Sequence, residues 1–316
     1  MKAKSLSLLF DAMHHGKYDF GDFLGCDVSA CYKGGTVKGR AILQPNKKLK
    51  AYHAFLCSFL VDFLELNQRV VFAYRKGVNP HDAVTRHAKN RAFFQTDIEN
   101  FFGSVTREIV QSTIVQNAEN IPVLDLAEHM ERILDLITVD GALPAGFSTS
   151  PSISNACLRD FDNVFERYCN DHQLTYTRYA DDLIVSGDSR EALKDIPSVI
   201  GKLLLKHSFE SFKLNRGKSK LTTIGRKIKV LGMVILPSGR ATVDMELKKR
   251  IEVLLHFYIR DREKFLNVVN QDLEAGITQL SGYVNYINAA DKPYLEKLKK
   301  KFGSTVVDSF LHRSAT

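Results

Sequence analysis

Asp181 and Asp182 stand side by side in YTRYADDLIVSG (residues 176–187), and Asp97 closes the apolar run of RAFFQTDI (91–98), 84 residues earlier. Carboxylates on buried strands are costly unless a cation neutralises them. Hard oxygen ligands suit Mg²⁺, and two such ions about 3.5–4 Å apart activate an attacking hydroxyl and stabilise departing pyrophosphate in an in-line displacement. Acting together, the three acids would serve nucleotidyl transfer on two Mg²⁺ ions, with Mn²⁺ as an alternative. Taken singly, each has a plainer reading. An Asp-Asp pair suits a polar turn, and Asp97 suits the cap of a following helix.

To carry the acids, strands must end at them. TYTRY and LIVS are β-prone runs pinched around Ala180-Asp181-Asp182, the pattern of a hairpin with an acidic tip. RAFFQTDI reads as a separate short strand. Residues 47–66 place Leu49, Tyr52, Leu56, Phe59, Leu60 and Phe63 at helical spacing behind Pro45-Asn46. Residues 106–116 and 123–138 also read as helices, and 149–171 opens with hydroxyls and a proline and continues as one long helix. KIKVLGMVI (227–235) is a strand candidate interrupted by Gly232, and from Met245 onward apolar residues recur at helical spacing among lysines. The class is α+β.

The 316 residues are 44% hydrophobic and 25% charged, which excludes a mainly disordered chain and allows two domains or one large lobed fold. No apolar run approaches the roughly 20 residues of a membrane span, and the opening lacks a signal-peptide pattern, so a cytoplasmic protein with no membrane partner is expected. The five cysteines are scattered without a CxxC, which indicates neither a disulfide framework nor a zinc site. The net charge of +8 hides larger imbalances: +7 over residues 1–90, −9 over 91–210 and +10 over 211–316. Basic flanks around an acidic middle suit a protein that grips a polyanion and holds cations at its centre. An unevenly charged, solvated surface gives the same pattern.

With these residues in view, YADD within TRYADDLIVSG resembles the signature hairpin of reverse transcriptases, and TDIENFFGSV resembles their first catalytic strand. GRAILQPNKKLKAYH is similar to the fingers segment of the bacterial enzymes, LPAGFSTSPSISNACLRDFD to the motif after the first aspartate, and FKLNRGKSKLT with VLGMVI to the closing palm and primer-grip strands. The resemblance implies a right-hand polymerase with an antiparallel palm sheet: N-terminal region and fingers over 1–90, palm with helical finger elements over 91–240, and a helical thumb over 241–316. It makes Asp97, Asp181 and Asp182 the metal-binding triad, with the Ile98 carbonyl as an extra ligand. Phe102 becomes the aromatic gate that selects deoxynucleotides, where the residue alone reads as core. Arg40 pairs with the incoming triphosphate, and Lys218 protonates leaving pyrophosphate, although a phosphate-contacting patch with Lys213, Arg216 and Lys220 fits as well. Gly146, Ser150 and Pro151 position the nucleotide, with Asn155 on the same helix. Tyr179 and Ala180 lie beside the primer end, and Gly232 falls in the primer grip. Lys248, Lys249 and Arg250, then Lys297 to Lys301, would face nucleic acid, or simply form solvated helix faces.

Among bacterial lineages, the compact length, the GRAILQP segment and a short thumb look most like retron reverse transcriptases. That resemblance implies a structured noncoding RNA as template and primer scaffold, dNTP substrates, an RNA–DNA hybrid product, an effector protein encoded nearby and a role in antiphage defence. Departures are Ala145 where glutamine is common, Ser148 where proline is usual, AVTRH at 83–87, and Val230-Leu231-Gly232 where the lineage has valine-threonine-glycine. A non-retron defence-associated reverse transcriptase with its own noncoding RNA is the nearest alternative, a group II intron-like enzyme comes next, and a catalytically silent RNA-binding scaffold comes from a different class. Past residue 245 no carboxylate cluster of the ribonuclease H kind is seen, so template removal is expected to be external.

Overall fold

A computed structural model describes residues 2–37, 39–207, 211–225 and 228–311. The chain divides into two units. The first takes residues up to 76, 94–185 and 191–221; the second takes 77–93, 186–190 and 222 onward. Among the described residues no helix is long and apolar enough to cross a membrane.

In the first unit, strands β1 (Tyr32–Val37) and β2 (Arg40–Pro45) pair antiparallel, Tyr32 opposite Pro45 and Val37 opposite Arg40. The alternation there is too weak to announce a hairpin, and none is expected from the sequence. The helix expected over 47–66 forms as Lys47–Phe59. Its start is fixed by the Asn46 side chain, which accepts from the Leu49 amide at 2.9 Å, and its end tightens into a 3₁₀ turn at Val61–Phe63. Tyr52 and Phe55 on its buried face meet Phe10 and Phe23 edge-on or tilted, an aromatic core that anchors the N-terminal helices Leu6–His14 and Phe20–Gly25.

Strand β3 (Ala92–Asp97) is buried along most of its length, as its apolar run requires. β4 (Thr175–Tyr179) and β5 (Asp182–Gly187) follow, then β6 (Lys220–Thr223), and the four lie in the order β4-β5-β3-β6. A two-residue link between neighbours forces β4 and β5 to run antiparallel. The helix expected over 106–116 forms as Arg107–Gln116. That over 123–138 shrinks to Met130–Ile137, because residues 122–124 pair with the Lys4 backbone and Asp125 caps the Leu6 amide at 2.8 Å. The single helix expected over 149–171 is two, Ser150–Cys157 and Arg159–Asp171, broken at Leu158.

The second unit holds β7 (Ile228–Val230), β8 (Met233–Ile235) and β9 (Ala241–Val243), paired antiparallel in that order. The strand expected over 227–235 is therefore a hairpin, with Lys227 outside the described residues. Its turn, Leu231-Gly232, has φ of +49° and +78°, which only a primed two-residue turn requires. Helix Pro80–Arg86 packs on β8 and β9, and helices Met245–Arg260, Arg262–Val268, Leu273–Ala290, Lys292–Phe302 and Ser304–Leu311 bury Leu254, Leu255, Leu280, Val284, Leu295 and Phe310 among themselves.

Candidate active site

β3 and β5 are neighbours in the sheet, and Asp97 ends one where Asp182 begins the other. The Ile98 amide donates to the Asp181 carbonyl at 3.1 Å, which ties the end of β3 to the hairpin tip. The Asp97 carbonyl accepts from Asn215 at 2.9 Å, and the Glu99 amide donates to the Lys213 carbonyl at 2.8 Å, so the segment bearing Lys218 is laced to the other side of Asp97. Backbone pairing thus gathers residues from three distant parts of the sequence.

Asp97 is 4% exposed; Lys218 Nζ reaches its Oδ2 at 2.5 Å, while its Oδ1 is buried without a hydrogen-bond partner among the described residues. Burial, and then the Asp97 charge, push the Asp181 carboxyl above its ordinary range, with Lys218 and Arg40 opposing. Asp182, at the solvent edge of the same cluster, is pushed up to about 6 by desolvation first and then by Asp181 and Asp97. Its hydrogen bond to Asp97 raises the Lys218 ammonium. A cleft of about 370 Å³ opens here, lined by Asp97, Asp182, Lys218 and Lys220 among others. An orphaned buried carboxylate oxygen beside two acids crowded by like charge is a donor set that suits a hard divalent cation. The three carboxylates do not all close to within 4.8 Å of one another, whereas the ligand atoms of Asp125, Glu128 and His129 do. In that second group, Asp125 is already committed to the Leu6 amide and to His129.

Arg40 is exposed at the start of β2, and Phe102 is half-buried beside Phe101 in the short helix Phe101–Ser104. Gly146 has φ +106°, and a Cβ there would stand 2.2 Å from the Leu43 carbonyl oxygen. With the Leu43 amide donating to the Ala145 carbonyl at 2.8 Å, this glycine lets β2 lie directly on the 144–150 turn. Ser150 is fully buried and donates to the Pro144 carbonyl at 2.8 Å, so it shapes that turn from inside; Pro151 is half-buried in the first turn of its helix. The Asn155 amide donates to the Ala73 carbonyl at 2.8 Å. Tyr179 is half-buried and Ala180 is buried at φ +58°.

Gly232, Lys248, Lys249 and Arg250 belong to the second unit. Gly232, Lys249 and Arg250 are exposed. Lys248 differs: its ammonium lies 2.8 Å from Asp291, over the Tyr294 ring, with the side chain 13% exposed, so it is an internal tie of that unit.

Two residues escaped the sequence reading. Arg178 is a fully buried arginine, whose only sequence signal is a charge at an inward position of a strand next to the acids. Tyr74 has φ +56° and a half-exposed ring, and its hydroxyl is pushed up by burial and then by the Asp181 charge. Nothing in FAYRKG announces a left-handed tyrosine.

The sequence model of the family described as reverse transcriptase (RNA-dependent DNA polymerase) matches residues 32–235. The chain is 27% identical to the retron Ec73 reverse transcriptase of Escherichia coli over 280 residues, covering 85% of this chain and 84% of that protein. It is 23% identical to the Ec83 enzyme of the same organism over 283 residues, 87% and 86% of the two chains. The retron Mx65 enzyme of Myxococcus xanthus is 24% identical, over 83% of this chain and 61% of its own. The α+β architecture is accordingly that of the right-hand polymerases. A hairpin with paired aspartates against a strand that ends in a third, within so long a match, leads to one assignment: the chain belongs to the reverse transcriptase family, RNA-directed DNA polymerases, and within it is most like the retron type.

Proposed function

We propose that the chain copies a structured noncoding RNA into DNA, adding dNTPs to a primer hydroxyl at Asp97, Asp181 and Asp182. The observation that carries this is the buried Asp97 Oδ1, without a hydrogen-bond partner among the described residues, beside two aspartates that burial and like charge hold above their ordinary pKa. Mutual repulsion of this kind is a cost that bound cations remove. Two Mg²⁺ ions, when bound, would supply activation of the primer hydroxyl and charge neutralisation on the leaving pyrophosphate. The Ile98 carbonyl, next in the chain to Asp97, would serve as a further oxygen ligand.

The side chains do the rest. Arg40 offers a five-donor fork to the triphosphate, Phe102 fills the space of a ribose 2′-hydroxyl, and Gly146 with Pro151 supports the nucleotide. Lys218, once released from Asp97, carries a proton for the pyrophosphate. Tyr179 and Ala180 flank the primer end. In the second unit, read as thumb from about residue 241, Gly232, Lys249 and Arg250 meet the nucleic-acid backbone.

The relatives' names support a retron role; an RNA–DNA hybrid product, an effector protein and antiphage defence in the cytoplasm are the further parts of this proposal. Primer extension on an RNA template with Mg²⁺ tests the reading. The native chain extends and the D181N/D182N variant does not; if neither incorporates nucleotide, the silent-scaffold reading replaces it. Sequencing the copurifying nucleic acid tests the retron part, which a branched hybrid supports and an unbranched repeat or homopolymer contradicts.

A further inference from the structure

We propose that Arg178 is the positioning residue of the acidic hairpin: it grips the Ala180 carbonyl and so fixes the bend that sets Asp181 and Asp182 beside Asp97. The inference rests on the reading of these aspartates as the metal-holding set.

All five guanidinium N–H donors of Arg178 are used. Nε donates to Asp162 at 2.9 Å, and Nη2 to Asp162 Oδ2 at 2.6 Å and to the Asn155 carbonyl at 3.2 Å. Nη1 donates to Asn155 Oδ1 at 3.0 Å and to the Ala180 carbonyl at 3.1 Å. Arg178 and Asp162 have no exposed surface, and the Tyr176 hydroxyl completes the Asp162 shell at 2.8 Å. The backbone is pinned as well, the Arg178 amide donating to the Val70 carbonyl at 2.7 Å and its carbonyl accepting from Phe72 at 2.9 Å. The fork therefore hangs from a fixed strand and a fixed carboxylate.

What it holds needs holding. Ala180 is the first central residue of a two-residue turn and has φ +58°, a place normally given to glycine. Nothing local rewards an alanine for that geometry, whereas a charged donor on its carbonyl does. A buried ion pair adds little stability over well-packed apolar residues, so geometry is the use that remains. Lysine keeps the charge but lacks the planar fork that spans Asp162 and Ala180 together.

The test uses the full chain, Mn²⁺ as probe, its binding read by electron paramagnetic resonance, with urea unfolding alongside. Arg178→Lys is expected to bind Mn²⁺ about tenfold or more weakly, in line with the loss of partners that orient metal ligands, and to lower kcat while the KM for dNTP holds. Tyr176→Phe disturbs the same Asp162 cluster without touching Ala180; it should lose stability and bind Mn²⁺ as the native chain does. If Arg178→Lys fails to fold, the joint exchange Asp162→Leu with Arg178→Met removes both charges and is read in the same way. Native-like Mn²⁺ binding by the Arg178 variant, with D181N/D182N having lost it, overturns the inference alone. Native-like binding by D181N/D182N overturns the metal reading and the inference with it.

Discussion

Gly146→Ala separates two costs that a glycine can hide. At φ +106° an L-residue is strained by about 1–3 kcal/mol. The new Cβ would also stand 2.2 Å from the Leu43 carbonyl oxygen and 3.1 Å from the Leu43 nitrogen, a backbone neighbour that no rotamer change can move. β2 must then shift by about 1 Å, which gives up the 2.8 Å bond from the Leu43 amide to Ala145, worth about 1 kcal/mol. The expected loss is about 2–4 kcal/mol in urea unfolding. Arg40 rides on β2, so the same shift should raise the KM for dNTP about tenfold or more in primer extension, a 1 Å misplacement being enough. Gly141→Ala is the control, since Gly141 has φ +75° with open space around it and carries strain without collision. If Gly146→Ala proves no more harmful than Gly141→Ala in either measurement, the close approach of β2 is not what the glycine provides.

Other outcomes follow from the same geometry. Asp182, with its pKa raised to about 6, holds a proton in the native state that the unfolded chain releases near 3.8; without metal, stability should therefore rise as pH falls from about 6 toward 4. Asp182→Asn should accordingly stabilise the metal-free chain, by about 1 kcal/mol after solvent screening, and a destabilised variant in thermal melts would contradict this. Below pH of about 6 the proton competes with Mg²⁺, so the Mg²⁺ needed for half-maximal extension should climb up to about tenfold per pH unit. Phe102→Ala should admit ribonucleotides, and unchanged discrimination in single-nucleotide incorporation would remove Phe102 from the gate. Lys248→Ala should destabilise by about 1–3 kcal/mol because Asp291 loses a buried partner, whereas Lys249→Ala should leave unfolding unchanged and lower the salt slope of RNA binding by about 1.

The site was legible where chemistry is local. The hairpin around Ala180-Asp181-Asp182 and the strand ending in Asp97 follow from β-prone runs and their punctuation, and both form. What stayed hidden is non-local. The break at Leu158 coincides with Arg178 donating to the Asn155 carbonyl, which also accepts the Leu158 amide at 3.4 Å, and no periodicity within 149–171 encodes a partner 23 residues away. The loss of helix over 123–129 likewise depends on Lys4, near the N-terminus and far from it in sequence. The hairpin in 227–235 was within reach, since Leu231-Gly232 is a turn signal read as a mere interruption. Lys248 looks like its exposed neighbours in sequence, and only the packed Asp291 distinguishes it.

The central claim is that Asp97, Asp181 and Asp182 together hold divalent ions. Crystals grown with primer, RNA template and a dNTP, soaked in Mn²⁺ and measured for anomalous scattering, address it directly. Peaks between Asp97 and the Asp181–Asp182 turn are the expected result. Peaks confined to Asp125, Glu128 and His129, or none at the three aspartates, would contradict it.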